Sequence, residues 1–334
     1  MNKILVTGGA GYIGSHTCLQ LLKEGYEVII LDNLEKGHQE TLDALGKIGS
    51  YEFINVDLRN LDELRKALEP YSFDAVIHFA AYLEVGFSTR NPELFFQNNV
   101  VGSQNLLQVL IEKNILNFIF SSSAAVYGTQ KSVPIPETAS MQPDSPYGET
   151  KLIIEQIMRN YAEYRSMNAI ALRYFNPAGA VDELPGERHI PETHVIPLLF
   201  HSFIDDDFTF SVYGDDYETA DGSAIRDFIH ISDLADAHVK SVKYLQNMSG
   251  FEAFNVATGK GTSVLELVKT AEEVVGEKLN YNLGPRRAGD PKELVADPSK
   301  IMKEMGWDAK YTLKDMLSSA WEWERQRDLA DYSK

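Results

Sequence analysis

One cysteine in 334 residues, Cys18, leaves no partner for an intrachain disulfide, so nothing in the chain depends on oxidative cross-linking. Cys18 falls within a helical pattern and is expected to be buried as a small apolar group, not displayed as a reactive thiol. Basic residues are scarce: 31 Lys and Arg face 49 Asp and Glu, a net charge of −18. That sign argues against a nucleic-acid partner, which needs a basic face, and against an anionic membrane surface. No apolar run approaches the ~18 residues of a membrane-spanning helix. The run MNKILVTGGAGYIG passes straight into a strand pattern, with neither the apolar h-region nor the cleavage site of a signal peptide, and a cytoplasmic protein is expected. Repeats, low-complexity tracts and Gly/Ser linkers are missing as well. The eight histidines show no His-Glu-x-x-His and no paired Cys/His spacing, so no metal is expected.

What is present is an alternation. Short β-branched runs at Lys3–Thr7, Glu27–Asp32, Tyr51–Val56, Ala75–Ala81, Phe118–Ser122 and Ala169–Tyr174 read as strands. They are almost continuously apolar, as strands covered on both faces should be. Helical patterns lie between them, near 15–24, 61–69, 93–113 and 146–164. This predicts an α/β fold, a doubly wound parallel sheet with helices on both faces. Beyond Asn176 the pattern breaks into prolines, glycines, acids and shorter strands such as Phe208–Tyr213. Helical stretches then return near 232–246 and 263–275. Residues 1–176 are therefore read as one domain and 177–334 as a smaller mixed α/β lobe, with a return of the chain across that boundary left open. Two lobes without a flexible linker should enclose a ligand cleft.

The first strand runs into Gly8-Gly9-Ala10-Gly11-Tyr12-Ile13-Gly14. Glycines here permit a tight turn, close approach of a pyrophosphate to the backbone, and close packing of the following helix on the sheet. The helix N-terminus offers free N–H groups to phosphate oxygens. Asp32 closes the second strand, where an acid accepts the adenosine ribose hydroxyls and repels a 2′-phosphate. The reading is a Rossmann domain that binds NAD in preference to NADP. Asp57, at the end of the third strand, is placed either to meet the adenine or to cap its own loop.

Tyr147 and Lys151 in Ser-Pro-Tyr-Gly-Glu-Thr-Lys are four apart, which puts both on one helix face. Pro146 suits a first helical turn. A tyrosine is a poor base near neutrality unless cations favour its phenolate; a lysine ammonium and a positive nicotinamide would do so. The serine-rich strand end Ser121-Ser122-Ser123 supplies a hydroxyl for the oxygen that loses its proton. Ser123 is read as that substrate contact, with Ser121 and Ser122 serving the backbone or the nicotinamide.

Together, Thr-Gly-x-x-Gly-x-x-Gly, the serine strand and Tyr-x-x-x-Lys resemble the extended short-chain dehydrogenase/reductases. Within them the chain is similar to the UDP-glucose 4-epimerases over nearly its whole length. The likeness is carried by GGAGYIGSHT (8–17), LDNL (31–34), SSSAAVYG (121–128), SPYGETK (145–151), LRYFNPAGA (172–180), PETHVIP (191–197), IRDFIHISDLADAH (225–238) and PRRAGD (285–290). It implies an isomerase that interconverts UDP-glucose and UDP-galactose by transient oxidation and re-reduction at sugar C4, with NAD regenerated in each cycle. The catalytic residues would be Tyr147, Lys151 and Ser123.

Cofactor contacts implied by the resemblance, with the glycine loop and the serine strand, are Gly8, Gly11, Tyr12, Ile13 and Gly14 in the cradle; Asp32, Asn33, Leu34, Glu35, Lys36 and Gly37 after the second strand; Asp57 and Leu58; Phe79, Ala80, Ala81, Tyr82 and Leu83; and Asn98, Ser121, Ser122, Tyr147, Lys151 and Phe175. Implied substrate contacts are Ser123, Tyr147, Asn176, His194, Val195, Ser211, Val212, Tyr213, Arg226, Arg287, Asp290 and Leu294. Arg226 and Arg287 are the cations that an acidic protein would need for a nucleotide diphosphate, unless they serve surface pairs with Asp227 and Asp290. Leu294 lies where relatives limit N-acetylated sugars. Many relatives carry a lysine after HFAA where this chain has Leu83 and Glu84, which weakens the expected grip on NAD. The resemblance also implies a homodimer, formed by the helices near 93–113 and 146–164.

Neighbouring activities are weighed on the same residues. The 4,6-dehydratases of this family place Asp-Glu after the serine strand, where this chain has Ala124-Ala125. Non-catalytic NAD sensors typically lose the tyrosine or the lysine, and both are here. The alternative that remains is a 4-epimerase of another UDP-sugar, UDP-xylose/UDP-arabinose or UDP-N-acetylglucosamine.

Overall fold

A computed structural model describes residues 1–287 and 290–327 of the chain. The first half alternates β1 (Lys3–Thr7), α1 (Tyr12–Lys23), β2 (Glu27–Asp32), α2 (Gln39–Gly46), β3 (Tyr51–Asn55), α3 (Leu61–Leu68) and β4 (Ala75–His78). A broken helical stretch follows: α4 (Val85–Ser88), α5 (Pro92–Phe95), a π-helical turn (Phe96–Val101) and α6 (Gly102–Glu112). Then come β5 (Asn117–Ser123), α7 (Pro146–Arg165) and β6 (Asn168–Tyr174). The second half adds β7 (Asn176–Ala178), α8 (Val195–Ile204), β8 (Ser211–Tyr213), β9 (Ile225–His230), α9 (Ile231–Tyr244) and β10 (Phe251–Val256). It ends with β11 (Gly261–Ser263), α10 (Val264–Val275), β12 (Asn282–Gly284), β13 (Glu293–Leu294), α11 (Ser299–Met305) and α12 (Leu313–Glu324).

The main sheet has seven strands in the order β10-β6-β5-β4-β1-β2-β3, every pair parallel. Side chains alternate across it with the strand period of two. Ile4, Val6, Ile77, Ile119 and Ile170 face one way, into a core with α1 and α9; Leu5, Val76, Phe118, Phe120 and Ala169 face the other, against α3, α6 and α7. This is the doubly wound α/β fold, with apolar strands buried on both faces except at the edge strand β3, where only Ile54 is buried. The outermost strand beside β6 is β10, and α9 packs on α1, so the chain re-enters the main sheet after residue 230. The rest of the second half builds a smaller unit around β9, which pairs with β7, β11 and β13, and around the β8–β12 pair.

Three expected elements come out differently. The helix over 93–113 is broken into α5, the π turn and α6, with α4 before them. The wider π turn carries Asn98 and Asn99, and the Asn99 amide satisfies both the N–H and the C=O of Tyr82, at 2.8 and 2.9 Å. The fourth strand stops at His78 because the chain must pass over the glycine loop: a Cβ on Gly8 would stand 2.6 Å from the Ala80 nitrogen. The strand over Phe208–Tyr213 shortens to β8, since Phe208 N–H closes a turn onto Asp205 C=O. Among the described residues, no helix is long and apolar enough to cross a membrane.

Candidate active site

The cradle is built by close approach. Gly8 has φ +70°, which a side chain resists, and a Cβ on Gly14 would stand 2.2 Å from the Gly8 oxygen. A Cβ on Gly11 would meet only the Gly8 oxygen, at 3.4 Å, so that position faces open space at the head of α1. No side chain caps α1 at Gly11, which leaves its first amides for a ligand. Asp32 ends β2 almost fully buried, accepting Ala10 N–H at 3.1 Å and Leu34 N–H at 2.8 Å. Burial raises its carboxyl above the usual range, with these two bonds pulling against that rise. Leu34 takes a left-handed φ of 59°, and a Cβ on Gly37 would stand 2.9 Å from the Asp32 carboxylate. Glycines around a bare helix end, beside a strand-terminal acid, fit the diphosphate and ribose of a dinucleotide.

Beyond Asp32, a residue that sequence reasoning passed over gathers the others. Arg59 holds Asp57 through several bonds of 2.5–3.0 Å, Glu35 at 2.7 Å and the Tyr82 hydroxyl at 3.3 Å. The bond to Arg59 takes the Asp57 carboxyl down to about 2. Asn33 reaches Asp57 at 3.1 Å, so Asn33, Glu35, Asp57 and Tyr82 form one polar rim. Lys36 bonds Glu84 at 3.0 Å, next to Leu83. Leu58 is buried beneath Gly102, and the Phe79 ring lies 4.6 Å from His238. Tyr12 and Ile13 pack against the sheet core, the Tyr12 hydroxyl bonding Gly179 C=O at 2.5 Å. Ala81 is half-buried, and the Asn98 amide bonds Asn99 at 3.0 Å.

The serine strand ends where α7 begins. Ser145 caps α7 by accepting Gly148 N–H at 3.2 Å, and Pro146 opens the first turn. The spacing of four then brings Lys151 Nζ to 5.7 Å from the centre of the Tyr147 ring. Lys151 is almost wholly buried; it donates to Ser121 C=O at 2.8 Å and lies 4.9 Å from the Phe120 ring centre. Burial brings the Lys151 ammonium down to about 7. Burial pushes the Tyr147 phenol up to about 12, with the Ser123 hydroxyl bond working against that rise and the Glu84 carboxylate adding to it. Ser123 also accepts Ala125 N–H at 3.1 Å, capping a 3₁₀ turn over Ala124–Val126.

The other two serines face away from this pair. Ser122 is fully buried and donates to Glu155 at 2.6 Å, and Glu155 is paired with the buried Arg173. The Ser121 hydroxyl bonds the Tyr174 hydroxyl. Sequence reasoning singled out neither Glu155 nor Tyr174, and gave Glu84 no role in the site. Only Glu84 left a signal there, as the acid beside Leu83.

The expected substrate residues fall into two neighbouring groups. Asn176 bonds Asp227 C=O at 2.8 Å and so ties β7 to β9. Arg226, on β9, is ion-paired with Asp290, not with Asp227. Asp227 is instead buried against Thr258, Gly259 and Ala296. Leu294, on β13 beside Arg226, packs in one cluster with Ala124, Val126 and Phe175, which joins this group to the serine strand. In the second group, the Arg287 guanidinium lies 4.1 Å from the ring centre of the exposed Tyr213. Ser211 is half-buried, and the Val212 side chain points into the small unit's core. His194 precedes α8 at its N-cap position without a side-chain capping bond, and Val195 is the helix's first residue.

The family model described as GDP-mannose 4,6 dehydratase matches residues 5–320. A UDP-glucose 4-epimerase of Rhizobium meliloti is 44% identical over 98% of this chain and 98% of its own. The fold is that of a UDP-glucose 4-epimerase from Stenotrophomonas maltophila with bound NAD and formylated UDP-arabinopyranose: TM-score 0.93, 36% identity, 98% of each chain covered. The Bifidobacterium longum enzyme in complex with NAD⁺ and UDP superposes at TM-score 0.93, with 37% identity over 99% of this chain and 100% of that one.

Proposed function

We infer the activity of this chain from its family: it belongs to the extended short-chain dehydrogenase/reductases matched by the GDP-mannose 4,6 dehydratase model, and within them to the UDP-glucose 4-epimerases. It is an isomerase that interconverts UDP-glucose and UDP-galactose by transient oxidation and re-reduction at sugar C4, with NAD as its cofactor. The observation that carries the assignment of roles is the meeting of Ser123, Tyr147 and Lys151 at the end of β5. Bound NAD supplies the hydride acceptor and donor and a positive ring.

Tyr147 takes the proton of the sugar 4-hydroxyl and returns it after the 4-keto sugar has turned over in the cleft. Ser123 holds that oxygen. Neither Tyr147 nor Lys151 gains by ionising alone in so dry a place. A phenolate and an ammonium formed together offset each other's desolvation, which lets the pair work near neutrality. Lys151 also keeps its place through Ser121 C=O. Ala124 and Ala125 carry no carboxyl, so no acid stands after the serine strand to expel water as a dehydratase must. Arg226 and Arg287 take the diphosphate, and Asp290 a ribose hydroxyl, with Asn176, His194, Val195, Ser211, Val212 and Tyr213 around them. The cradle residues and the rim of Asn33, Glu35, Asp57 and Tyr82 hold the dinucleotide. The Lys36 ammonium, beside Glu84, stands close to where relatives carry their lysine.

The NAD-binding lobe comprises residues 1–176 joined by α9 and β10, with most of 177–334 as the substrate lobe. Val85, Phe87, Leu94 and Val101 leave an apolar patch exposed along the broken helix, which supports a homodimer formed there. The lone thiol of Cys18, which burial pushes well above its ordinary range, suits a reducing cytoplasm. Turnover of a panel of UDP-sugars without added NAD tests the reading: UDP-galactose and UDP-glucose should interconvert, and inactivity on both would overturn it.

A further inference from the structure

The segment before α8 gathers four side chains, of which the proposed chemistry uses only His194. Glu187 Oε1 lies 3.7 Å from His189 Nδ1 and 3.5 Å from His194 Nδ1. Glu192 Oε1 lies 3.6 and 3.3 Å from the same two nitrogens. Both imidazoles thus aim Nδ1 at one point between two carboxylates. A tetrahedral ion with bonds of about 2.0–2.2 Å sets neighbouring ligand atoms about 3.3–3.6 Å apart, which is nearly this spacing. The ligating atoms of Glu187, His189 and His194 all lie within 4.8 Å of one another.

Hydrogen bonding accounts for only one of the two rings, since His194 Nδ1 bonds Glu192 Oε1 at 3.3 Å. Glu192 is well used: it accepts the N–H groups of His189, Thr193 and His194, and it pairs with Arg327. The Glu187 carboxylate takes no hydrogen bond from the described residues and faces the two rings. His189 Nδ1 is buried without a hydrogen-bond partner, a costly state for an imidazole nitrogen. The rings are 4.4 Å apart at 44°, too tilted to be stacked for their own sake.

We propose that Glu187, His189 and His194 bind a divalent transition-metal ion of the zinc class, with water in the fourth position. Two neutral imidazoles and a carboxylate are a donor set that suits zinc and cobalt better than magnesium or calcium. The ion satisfies the orphaned nitrogen and ties the segment ahead of α8 together. The site shares His194 with the proposed substrate contacts, and its test reads metal binding alone, so it stands or falls apart from the activity.

Cobalt titration of the tag-free, chelator-treated full chain tests it directly. The expected result is one equivalent of Co²⁺ bound, with the intense visible ligand-field absorption of a tetrahedral site, displaced by one equivalent of Zn²⁺. Glu187→Gln and His189→Gln should each weaken binding by more than the roughly 10–100-fold that loss of an outer-shell partner costs. Tyr147→Phe should leave binding unchanged. Far-UV circular dichroism identifies a variant that fails to fold, in which case the other ligand variant decides. Absence of saturable Co²⁺ binding in the wild-type chain, or binding that survives both replacements, overturns the proposal.

Discussion

At the scale of single residues, the site turns on two groups that burial drives toward neutrality, Tyr147 up to about 12 and Lys151 down to about 7. Tyr147→Phe removes the proton acceptor and should lower kcat by roughly 10²–10⁴-fold with KM little moved. Lys151→Met leaves the phenol without its cation. A phenolate is the deprotonated form, so its fraction, and with it the rate, should climb with pH through the alkaline range, where the wild type has already levelled. A pH–kcat profile checks this; a flat profile for Lys151→Met would deny the lysine that task. Leu294 packs beside Phe175 and Ala124, and in the proposed site an acetamide would have to fit against it. Crowding there costs about 1–3 kcal/mol, or roughly 10–200-fold in kcat/KM against N-acetylated UDP-sugars. Leu294→Ser should narrow that gap, and equal efficiency on both sugar classes in the wild type would refute the gate. The pair itself was legible in the sequence, because four residues make one helical turn and a half-line of motif fixes both partners. Arg59 and Glu155 were not, because their partners come from other elements and no local spacing announces them.

At the scale of elements, β5, β6 and α7 are locked by a buried pair. Arg173 and Glu155 are both fully buried, and Glu155 also holds Ser122, one residue from Ser123. Removing one partner strands a charge, so Glu155→Gln should cost about 3–5 kcal/mol in urea unfolding at fixed NAD. The helix α7 ends on Ser166 in the left-handed region, φ 56°. Glycine is at ease there, and Ser166→Gly should stabilise by about 0.5–1 kcal/mol. A loss of stability would show that the serine side chain has a task of its own. Six of the seven strands of the main sheet could be read from sequence, most of them because burial on both faces writes them as nearly unbroken apolar runs. Strand β10 was not among them, and edge strand β3 buries only Ile54. The broken helix before α6 could not: a π turn keeps a helical pattern while shifting its register. Nor could α8, whose run of Val195 to Ile204 is apolar nearly all round and carries Pro197, so no face stands out.

At the scale of the whole molecule, chain order and spatial order part company. Strand β10 lies 77 positions beyond the end of β6 and still completes the sheet beside it, a long-range pairing that no local pattern can signal. The exposed patch of Val85, Phe87, Leu94 and Val101 is likewise invisible in a linear reading, where each looks like core. Sedimentation should give twice the chain mass for the wild type and the single-chain mass for Leu94→Asp/Val101→Asp. A monomeric wild type would remove the dimer from the account. The central claim is that hydrogen leaves and returns to the same sugar carbon while only the hydroxyl proton passes through Tyr147. UDP-galactose deuterated at C4, incubated in ordinary water with the purified chain and no added NAD, tests it most directly. The account predicts UDP-glucose with the deuterium retained at C4. Deuterium lost to solvent, or conversion that consumes added cofactor stoichiometrically, would contradict it.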